Sequence, residues 1–394
     1  MIDNPKLVIF ESHPIQYRVP VYQKLNELRP NSFYVIFASD FSVQGYSDPG
    51  FGSQIAWDVP LLEGYPYKVL NPGSKSSPRK FLDLTAPGLF NLLEKLKPSV
   101  VLMTSFNYRF DMVAYFCALR CSLPLWIRME TQDQAFPRSK LKSWLRSLAY
   151  KCLYQPVQRA FYIGQLNKQH YSKHGLNNDK LFPAHYCTSN LMHYVSYEDK
   201  VMRRQSIRQS LNVDDKTFLI SFFGKFIYKK DPLILLDSIY YLSGEITENS
   251  ELIFIGNGEL QTNLKTKADK LFEEINVKSH FPGFINQSNL SDWYLAVDVV
   301  VLPSRKMGET WGLVINEALH AGCGVVVSNA VGCHEDFKSW PRVRTFPTGD
   351  VKALAAGIES LFAFSRDFNW ANQFLQDYSI DSAANSLAEA IDTL

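Results

Sequence analysis

The sequence lacks the features that mark secreted, metal-stabilised and membrane-spanning proteins. It has six cysteines in 394 residues and no C-x-x-C pair, which argues against a structural zinc site and predicts reduced thiols. No apolar run approaches the ~18 residues that a membrane-spanning helix needs. The opening stretch MIDNPKLVIFESHP contains an apolar run of only four residues, so it predicts a buried strand rather than a signal peptide. We therefore expect a cytoplasmic protein.

Charge of either sign is not in excess, and cofactor motifs are also missing. The formal net charge is only +2, so the chain as a whole indicates no oppositely charged partner. The segment GNGEL, residues 256–260, suggests a dinucleotide-binding loop, but Gln261 stands where the third glycine of that motif belongs. We therefore predict no cofactor. Because 394 residues exceed one ordinary core, two domains are expected.

Short apolar segments alternate with helical segments along the whole chain. The first half contains KLVIFES, SFYVIFAS, SVVLMTS, PLWIRME and AFYIG, and the second contains TFLISFFG, SELIFIG, DVVVLPS and GVVVSN. Continuous apolar strands separated by helices predict parallel sheets covered on both faces. We expect an α/β protein of two Rossmann-like domains facing a central cleft, residues 1–187 and 188–375. A terminal helix in residues 376–394 is expected to pack back on the first domain.

Two glutamates eight residues apart lie in GETWGLVINEALHAGCGVVVS, residues 308–328. A helix is predicted from about Gly312, after the strand DVVVLPS, and the free amides of Gly312, Leu313 and Val314 would form an anion site. Glu317 would lie about 7.5 Å along the axis, about the spacing from a diphosphate to a ribose. Glu309 precedes the helix, where a sugar would hang. The alternative is that Glu309 is a solvated loop acid and Glu317 a surface residue.

The surrounding sequence resembles the E-x7-E signature of retaining glycosyltransferases of family 4, which have the GT-B fold. The segments FFGKFIYKKDP, LIFIGNGEL and HFPGFINQSNLSDWYLAVDVVVLPS are similar to the family's other landmarks in the same order. In the first half, SHPIQYRVPVYQKL is similar to bacterial surface-polysaccharide transferases. The resemblance implies sugar transfer with retention from a nucleotide-sugar, with a UDP-sugar favoured, to a hydroxyl of a glycan or lipid-linked glycan. Two alternatives stay open: a nucleotide-sugar 2-epimerase of the same fold, and a non-catalytic sugar-nucleotide binder at the membrane.

The resemblance also implies roles for residues that precede the signature. Lys225 and Lys230 match the basic positions that bind the donor phosphates, although the family usually has arginine at the first. Gly224, Gly256 and Asn257 match the glycine-rich ends of two strands that line the donor site. No D-x-D segment occurs in the chain, so the metal-diphosphate clamp of the other main transferase fold is absent. We therefore expect no metal, and we expect lysines and helix amides to stabilise the leaving diphosphate.

Three residues of the first half are candidates for contacts with the sugar or the acceptor. His13 follows the first strand, where the family brings a loop to the cleft. Arg128 and Glu130 end the strand in WIRMETQD, and Glu130 occupies a place where relatives often carry a histidine. The alternatives are an ordinary loop histidine at His13 and a structural ion pair at Arg128.

Acidic residues are missing from Gln134 to Asn178, while lysines and arginines are frequent there. Trp144, Leu145, Leu148 and Tyr150 interleave with the first of these cations. A basic helix with such residues is typical of elements that bind an anionic membrane surface. We expect this role for residues 138–159, on the inner face of the cytoplasmic membrane; the alternative is an ordinary helix with a solvated basic face. We predict no nucleic-acid partner, because no nucleic-acid-binding motif accompanies the segment.

Overall fold

A computed structural model of the protein describes residues 4–43, 45–48, 53–55, 59–73, 77–78 and 80–394. Within these residues, the amino-terminal half contains nine strands: β1 (Leu7–Glu11), β2 (Phe33–Ser39), β3 (Tyr46–Asp48), β4 (Ser53–Ile55), β5 (Tyr67–Asn71), β6 (Val100–Met103), β7 (Leu125–Ile127), β8 (Val157–Tyr162) and β9 (Leu181–Pro183). Seven of them form a parallel sheet in the order β5-β2-β1-β6-β7-β8-β9, and β3 and β4 form a separate antiparallel pair.

Helices connect these strands in the usual α/β manner. They are α1 (Val19–Leu28), α2 (Leu89–Leu96), α3 (Arg109–Arg120), α4 (Lys140–Tyr154) and α5 (Gln165–Lys173). Short 3-10 turns occur at Phe81–Asp83 and Asn178–Lys180.

The carboxyl-terminal half repeats this architecture around a second parallel sheet. Its strands are β10 (Phe218–Phe223), β11 (Ser250–Ile255), β12 (Ser279–Gly283), β13 (Val299–Leu302), β14 (Gly324–Ser328) and β15 (Val343–Phe346), in the order β12-β11-β10-β13-β14-β15. Its helices are α6 (Tyr197–Ser210), α7 (Leu233–Ile239), α8 (Gly244–Glu248), α9 (Gln261–Ile275), α10 (Gln287–Ala296), α11 (Leu313–His320), α12 (His334–Phe337), α13 (Val351–Phe362) and α14 (Ile380–Asp392), with a 3-10 turn at Gln376–Tyr378 before the last.

The predicted fold class is confirmed, and burial explains it. All residues of β1, β2, β10, β13 and β14 are buried, as expected for strands covered on both faces. In the two parallel sheets, the strands that match none of the predicted apolar segments are the edge strands β5, β9, β12 and β15. β5 carries Lys68 and Asn71 and is only half-buried, so it lacks the continuous apolar run of a central strand.

Each sheet reverses its strand order at one point, and the two reversals place the loops of interest. In the first sheet the reversal falls between β1 and β6, and in the second it falls between β10 and β13. Ligands of such sheets bind beyond the carboxyl ends of the strands at the reversal. His13 follows β1, the lysines at 225–230 follow β10, and Glu309 follows β13. The topology therefore places three of the predicted site segments at these reversals.

The terminal helix α14 packs against α1 in the first half of the molecule. Its apolar face, which includes Leu387 and Ile391, joins the buried cluster that contains residues of β1 and β2. Lys24 forms an ion pair with Asp381 at 3.1 Å, and Arg29 pairs with Asp392. The chain therefore returns to the first sheet after completing the second. The domain divisions at 187/188 and 375/376 stay predictions.

A carboxylate bridges the two halves beside this return. The main-chain amide of Gln165, the first residue of α5, lies 3.1 Å from both oxygens of Asp336, and the Tyr378 hydroxyl donates to Oδ1 at 3.0 Å. Burial raises the pKa of Asp336 to about 7, and the hydrogen bonds only partly oppose this shift. The contact between the halves therefore includes a group that titrates near neutral pH.

Shortening the apolar face of α14 should destabilise the first domain. Leu387 is fully buried, so Leu387→Ala should cost about 2–5 kcal/mol of unfolding free energy through lost contacts and a residual cavity. Glu389→Ala, on the exposed face of the same helix, should change it by less than about 0.5 kcal/mol. Urea denaturation followed by circular dichroism measures both. Equal stability of the two variants would contradict the packing of α14 described above.

Asp336 should make stability depend on pH between its unfolded and folded pKa values. The folded protein retains the carboxyl proton up to about pH 7, whereas the unfolded chain releases it near pH 3.8. Stability should therefore fall as pH rises through this window and then level off. Asp336→Asn should flatten the fall, and the exposed Asp179→Asn should not. Urea midpoints measured from pH 4.5 to 8 would refute the assignment if the Asp336→Asn and wild-type slopes were the same.

Candidate active site

A cavity of about 610 Å³ lies between the two halves of the molecule. Its walls come from both sides and are mainly apolar. The first half contributes Gln16, Tyr17, Val19, Pro20, Gln23, Val59, Pro60 and Leu61. The second half contributes residues at the carboxyl ends of β10 and β11 and from α10 and α11, with Thr188, Ser189 and Leu191 between the halves. A cavity of this size holds a ligand of several hundred daltons.

Glu317 places its carboxylate in the wall of this cavity. Gln287 Nε2 donates to its Oε1 at 2.9 Å, and the Tyr294 hydroxyl donates to Oε2 at 2.8 Å. Desolvation raises the pKa of Glu317, and these two hydrogen bonds partly oppose the shift. A carboxylate accepts about four hydrogen bonds, so each oxygen retains capacity for a ligand hydroxyl. The suggestion that Glu317 is an ordinary surface residue is therefore not supported by this geometry.

The amino end of α11 faces the same cavity, through Leu313 and Val314. Gly312 is the N-cap residue and has a φ of +102°, which L side chains rarely adopt. A Cβ there would come within 2.5 Å of Val331 Cγ1 and 3.0 Å of Leu302 Cδ2. Glycine is therefore needed at position 312, because a side chain there would point into the core. With glycine in place, the first turn of α11 reaches the cavity.

Two glycines at adjacent strand ends form another part of the wall. Gly224 follows β10 and Gly256 follows β11, and both line the cavity. A Cβ on Gly256 would lie 1.9 Å from the carbonyl oxygen of Gly224, so the two strand ends approach as closely as backbones allow. Asn257 turns its side chain back to accept from the amide of Gly258 at 2.8 Å. Asn257 therefore stabilises the loop after β11. Gly224 and Gly256, which lack side chains, leave space in the cavity beside that loop.

Glu309 is buried in a group of lysines that follows β10. Its Oε2 lies 2.7 Å from Lys230 Nζ and 3.7 Å from Lys229 Nζ. Burial alone would raise the pKa of Glu309, but the two ammonium groups outweigh it and hold the pKa below its usual value. Glu309 is therefore an ionised, paired carboxylate rather than a solvated loop acid.

The loops after β10 and β13 are tied together by further polar contacts. Lys229 donates to the Gly308 carbonyl at 3.0 Å, and Arg305 pairs with Asp231 at 2.8 Å. Lys225 lies close enough that its charge contributes to lowering the pKa of Lys229, for which burial is the main cause. Lys225, Lys229 and Lys230 thus concentrate positive charge at the strand-order reversal of the second sheet.

A buried ionic network connects the first sheet to the signature loop. Arg18 Nη1 donates to Glu11 at 2.9 and 2.7 Å, and its Nη2 donates to Glu130 at 2.5 Å. Glu130 also accepts from the Tyr186 hydroxyl and, at 3.4 Å, from Thr310 Oγ1. Burial would raise the pKa of Glu130, but the charge of Arg18 and these hydrogen bonds lower it. Glu130 thus reaches the residue that directly follows Glu309.

The other two candidates of the first half differ in their surroundings. His13 Nδ1 lies 2.9 Å from the Ser12 hydroxyl, and its ring contacts Phe41 with centroids 4.4 Å apart. Burial and the nearby Arg18 lower the pKa of His13 to about 3, so this imidazole is neutral at physiological pH. Arg128 instead donates to the main-chain carbonyls of Ala184 and His185, both at 3.2 Å. These contacts place Arg128 at the junction of the domains, and Arg18 rather than Arg128 pairs with Glu130.

Several residues of the site were not predicted from the sequence. Gln287 and Tyr294 hold Glu317, Lys229 flanks Glu309, and Arg18 organises the acids of the first half. Lys229 and Arg18 lie in the two segments FFGKFIYKKDP and SHPIQYRVPVYQKL, which resemble known transferases. Their places in the sequence near Lys230 and His13 could therefore have identified them as site residues. Gln287 and Tyr294 are 30 and 23 residues away from Glu317, and only the packing of α10 on α11 brings them together.

The second half of the chain matches known proteins in sequence. Residues 203–366 match the family model described as glycosyl transferases group 1. An uncharacterised glycosyltransferase of Methanocaldococcus jannaschii is 32% identical over 144 residues, which cover 36% of this chain and 34% of the relative. The capsular polysaccharide biosynthesis glycosyltransferase CapH of Staphylococcus aureus is 28% identical over 124 residues, 32% of this chain and 33% of the relative. The chain thus matches about a third of the length of these curated relatives.

Solved structures resemble the chain over nearly its whole length. HepE of Anabaena in complex with UDP and glucose is 16% identical, with a TM-score of 0.67 over 99% of this chain and 100% of that one. WaaG, a glycosyltransferase involved in lipopolysaccharide biosynthesis, is 12% identical, with a TM-score of 0.62 over 98% and 99%. At these identities the likeness establishes the fold alone. The chain therefore has the GT-B fold, and residues 203–366 carry the sequence pattern of the group 1 glycosyl transferases.

Proposed function

We propose that the protein is a glycosyltransferase that moves a sugar from a nucleotide-sugar, a UDP-sugar being favoured, to a hydroxyl of a glycan or lipid-linked glycan, with retention of anomeric configuration. The observation that carries this proposal is the arrangement around α11. The first turn of the helix and Glu317 line one cavity, and the loops carrying Lys225, Lys230 and Glu309 meet at the adjoining strand-order reversal.

The donor would lie along the amino end of α11. Its diphosphate would accept from the free amides there and from the ammonium groups of Lys225 and Lys230. The ribose would lie further along the helix and donate two hydroxyls to Glu317, which Gln287 and Tyr294 already orient. The base would occupy the apolar part of the cavity beyond Gly256. HepE, which has the same fold, has been solved with UDP and with UDP-glucose, and this supports a uridine nucleotide as the donor.

Charge complementarity to the leaving group would supply most of the rate enhancement. As the bond from the anomeric carbon to the phosphate oxygen breaks, positive charge grows on the sugar ring and negative charge on the diphosphate. Lys230 and Lys225 would stabilise the latter. The acceptor hydroxyl would attack from the face that the diphosphate leaves, and its proton would pass to a phosphate oxygen. No covalent sugar-enzyme intermediate is needed, and retention follows from attack on that face.

Glu309 would have two tasks in this arrangement. Its ion pair at 2.7 Å holds Lys230 in one position, and its negative charge favours the cationic sugar ring. His13 and Glu130 belong to the first half of the molecule and would contact the sugar or the acceptor. Because His13 is neutral at pH 7, it would act by hydrogen bonding rather than by charge. We assign Arg128 to the domain junction.

The names of two similar proteins support the acceptor class. CapH is named for capsular polysaccharide biosynthesis and WaaG for lipopolysaccharide biosynthesis. We therefore propose that the acceptor is a growing surface glycan at the inner face of the cytoplasmic membrane. No helix of the described residues is long and apolar enough to cross a membrane.

Purified protein incubated with UDP-, GDP-, ADP- and dTDP-sugars tests this function. A donor at about 100 times its dissociation constant should add ~2.7 kcal/mol of stability, and a UDP-sugar should produce the largest thermal shift. Proton NMR of the product identifies the anomer. An epimerised nucleotide-sugar would show the 2-epimerase instead, and binding without turnover on any glycan or lipid-linked acceptor would show a binder. No shift with any nucleotide-sugar would refute the proposal.

Substitutions of the two signature glutamates should affect different quantities, nucleotide affinity for Glu317 and transfer rate for Glu309. Glu317→Ala removes the ribose acceptor, so it should weaken binding of free nucleoside diphosphate by about 1.5–3 kcal/mol. Glu309→Gln should leave that affinity nearly unchanged and lower transfer tenfold or more, since each tenfold step is about 1.4 kcal/mol of transition-state stabilisation. Calorimetry and UDP-release kinetics measure the two quantities, with the exposed Glu273→Gln as control. Equal loss of nucleotide affinity in both variants would contradict the assignment of Glu317 to the ribose and Glu309 to the transferred sugar.

Lys230 should support turnover separately from stability. Lys230→Ala should lower kcat at least as much as it raises the donor KM, because its contact strengthens as the diphosphate departs. It should also cost about 1.5–3 kcal/mol of stability, because Glu309 loses its nearest charge-assisted partner. Adding Glu309→Gln should restore stability without restoring kcat, whereas the exposed Lys352→Ala should change neither. A normal kcat in Lys230→Ala would limit this lysine to ground-state binding.

A further inference from the structure

Helix α4 exposes an apolar ridge that no described part of the chain covers. Its members lie at spacings of three, four and seven residues, which places them on one side of the helix. They are Leu141, Trp144, Leu145 and Leu148, with exposed fractions of 65%, 63%, 51% and 50%. Within α4 only Tyr154 is fully buried. Large apolar side chains grouped on one exposed face indicate an interaction surface rather than scattered surface residues.

Lysines border this ridge on both sides. At 100° per residue, Lys140 and Lys151 lie along one edge and Lys142 along the other, and all three are exposed. Acidic residues are absent from the entire stretch between Gln134 and Asn178, so nothing on the helix neutralises these charges. The ridge is therefore an apolar strip with a positive border.

The opposite face of α4 is fixed to the protein by Asp133. Arg146 of α4 pairs with Asp133, and its guanidinium lies 4.5 Å from the centroid of the Tyr150 ring. His170 and Lys173 of α5 contact the same carboxylate, both at 3.0 Å, and His174, which directly follows α5, contacts it at 3.2 Å. Two cations already satisfy Asp133, so we interpret this group as a structural anchor and not as a metal site.

Two arginines within residues 138–159 are engaged in contacts inside the protein. Arg138 donates to the carbonyls of Asp133 and Phe136, both at 3.2 Å, and Arg146 is held by Asp133. These two arginines hold the segment in place. Only the lysines of α4 project to solvent at the ridge.

The segment that leads into α4 also contacts the signature loop. The Gly308 amide donates to the Ala135 carbonyl at 2.9 Å, and Gly308 packs against the ring of Phe136. Phe136 is itself 47% exposed, and α4 begins four residues later. The ridge therefore adjoins the loop that carries Glu309.

We propose that the exposed face of α4 docks in the plane of an anionic lipid bilayer. The ridge residues Leu141, Trp144, Leu145 and Leu148 insert at the boundary between headgroups and acyl chains, and Lys140, Lys142 and Lys151 contact the lipid phosphates. A bilayer fits better than a second copy of the chain, because a symmetric dimer through α4 would bring the lysine borders together. In this orientation a lipid-linked acceptor reaches the Glu309 loop from the bilayer surface, a consequence that rests on the proposed function.

Vesicle co-sedimentation tests the docking without any turnover. Wild-type protein should pellet with vesicles of phosphatidylcholine containing phosphatidylglycerol, and tenfold or more weakly with phosphatidylcholine alone. Trp144→Ser with Leu148→Ser should weaken binding to the anionic vesicles at least tenfold. Met202→Ser with Phe272→Ser, two exposed apolar residues of the second half, should bind as wild type does. Because these side chains are exposed, both variants should fold, and circular dichroism checks this.

The lysines and the tryptophan provide independent measurements. Changing Lys140, Lys142 and Lys151 to Gln should weaken anionic-vesicle binding by about fivefold per lysine, whereas Lys265→Gln with Lys270→Gln should have little effect. Brominated acyl chains should quench the fluorescence of Trp144, so the quenching should be lost in Trp144→Phe although that variant still binds.

Three outcomes would overturn the proposal. They are wild-type protein that stays in the supernatant with anionic vesicles, a ridge variant that binds as wild type does, and a wild-type dimer in light scattering that the ridge substitutions convert to monomer. If the protein bound anionic vesicles but transferred no sugar, the docking proposal would stand and the proposed function would be refuted.

Discussion

The fixed position of α11 between the two sheets is the constraint on which the candidate site depends. Asn316, which is fully buried, accepts from Trp311 Nε1 at 2.7 Å and donates to the Tyr186 carbonyl at 3.2 Å. Gly312 allows the chain to enter the helix against the core. Together these contacts fix the direction of the helix axis relative to the segment that joins the halves. The first turn of α11 and Glu317 consequently line one cavity.

Several buried charges near the cleft are paired with opposite charges, and these pairs organise the cleft. Arg18 satisfies Glu11 and Glu130, Lys230 satisfies Glu309, and the Asp133 carboxylate is held by cations and histidines. Removing one partner of such a pair leaves a desolvated charge, so separating the partners is costly. A site of this kind needs little reorganisation when charge develops on a ligand, and reorganisation is a large part of the cost of charge separation.

The segment from residue 130 to residue 138 links the cleft to the outer surface of the first domain. Its first residue, Glu130, reaches Thr310, and Ala135 binds the Gly308 amide. Asp133, in the middle, anchors α4. The signature loop of one domain is therefore held by the same short segment that positions the exposed ridge of the other. A surface that captures the protein through α4 also fixes the orientation of the cleft.

The sequence by itself determined the two-sheet architecture, because continuous apolar strands such as VVVL at 299–302 are stable only when both faces are covered. It also located the cleft loops: spacing placed Glu309 before a helix and Glu317 inside it, and glycines marked the strand ends. Edge strands such as β5 were not predicted, because a partly exposed strand lacks a continuous apolar run.

Only the tertiary structure decided what each polar side chain faces. Gln287 and Tyr294 meet Glu317 through helix packing across 30 and 23 residues. Arg146 pairs with Asp133, whereas Lys142 is exposed to solvent. The position of the Asp133 carboxylate, which lies outside α4, decides which of these cations is paired, and the sequence of the helix does not reveal it.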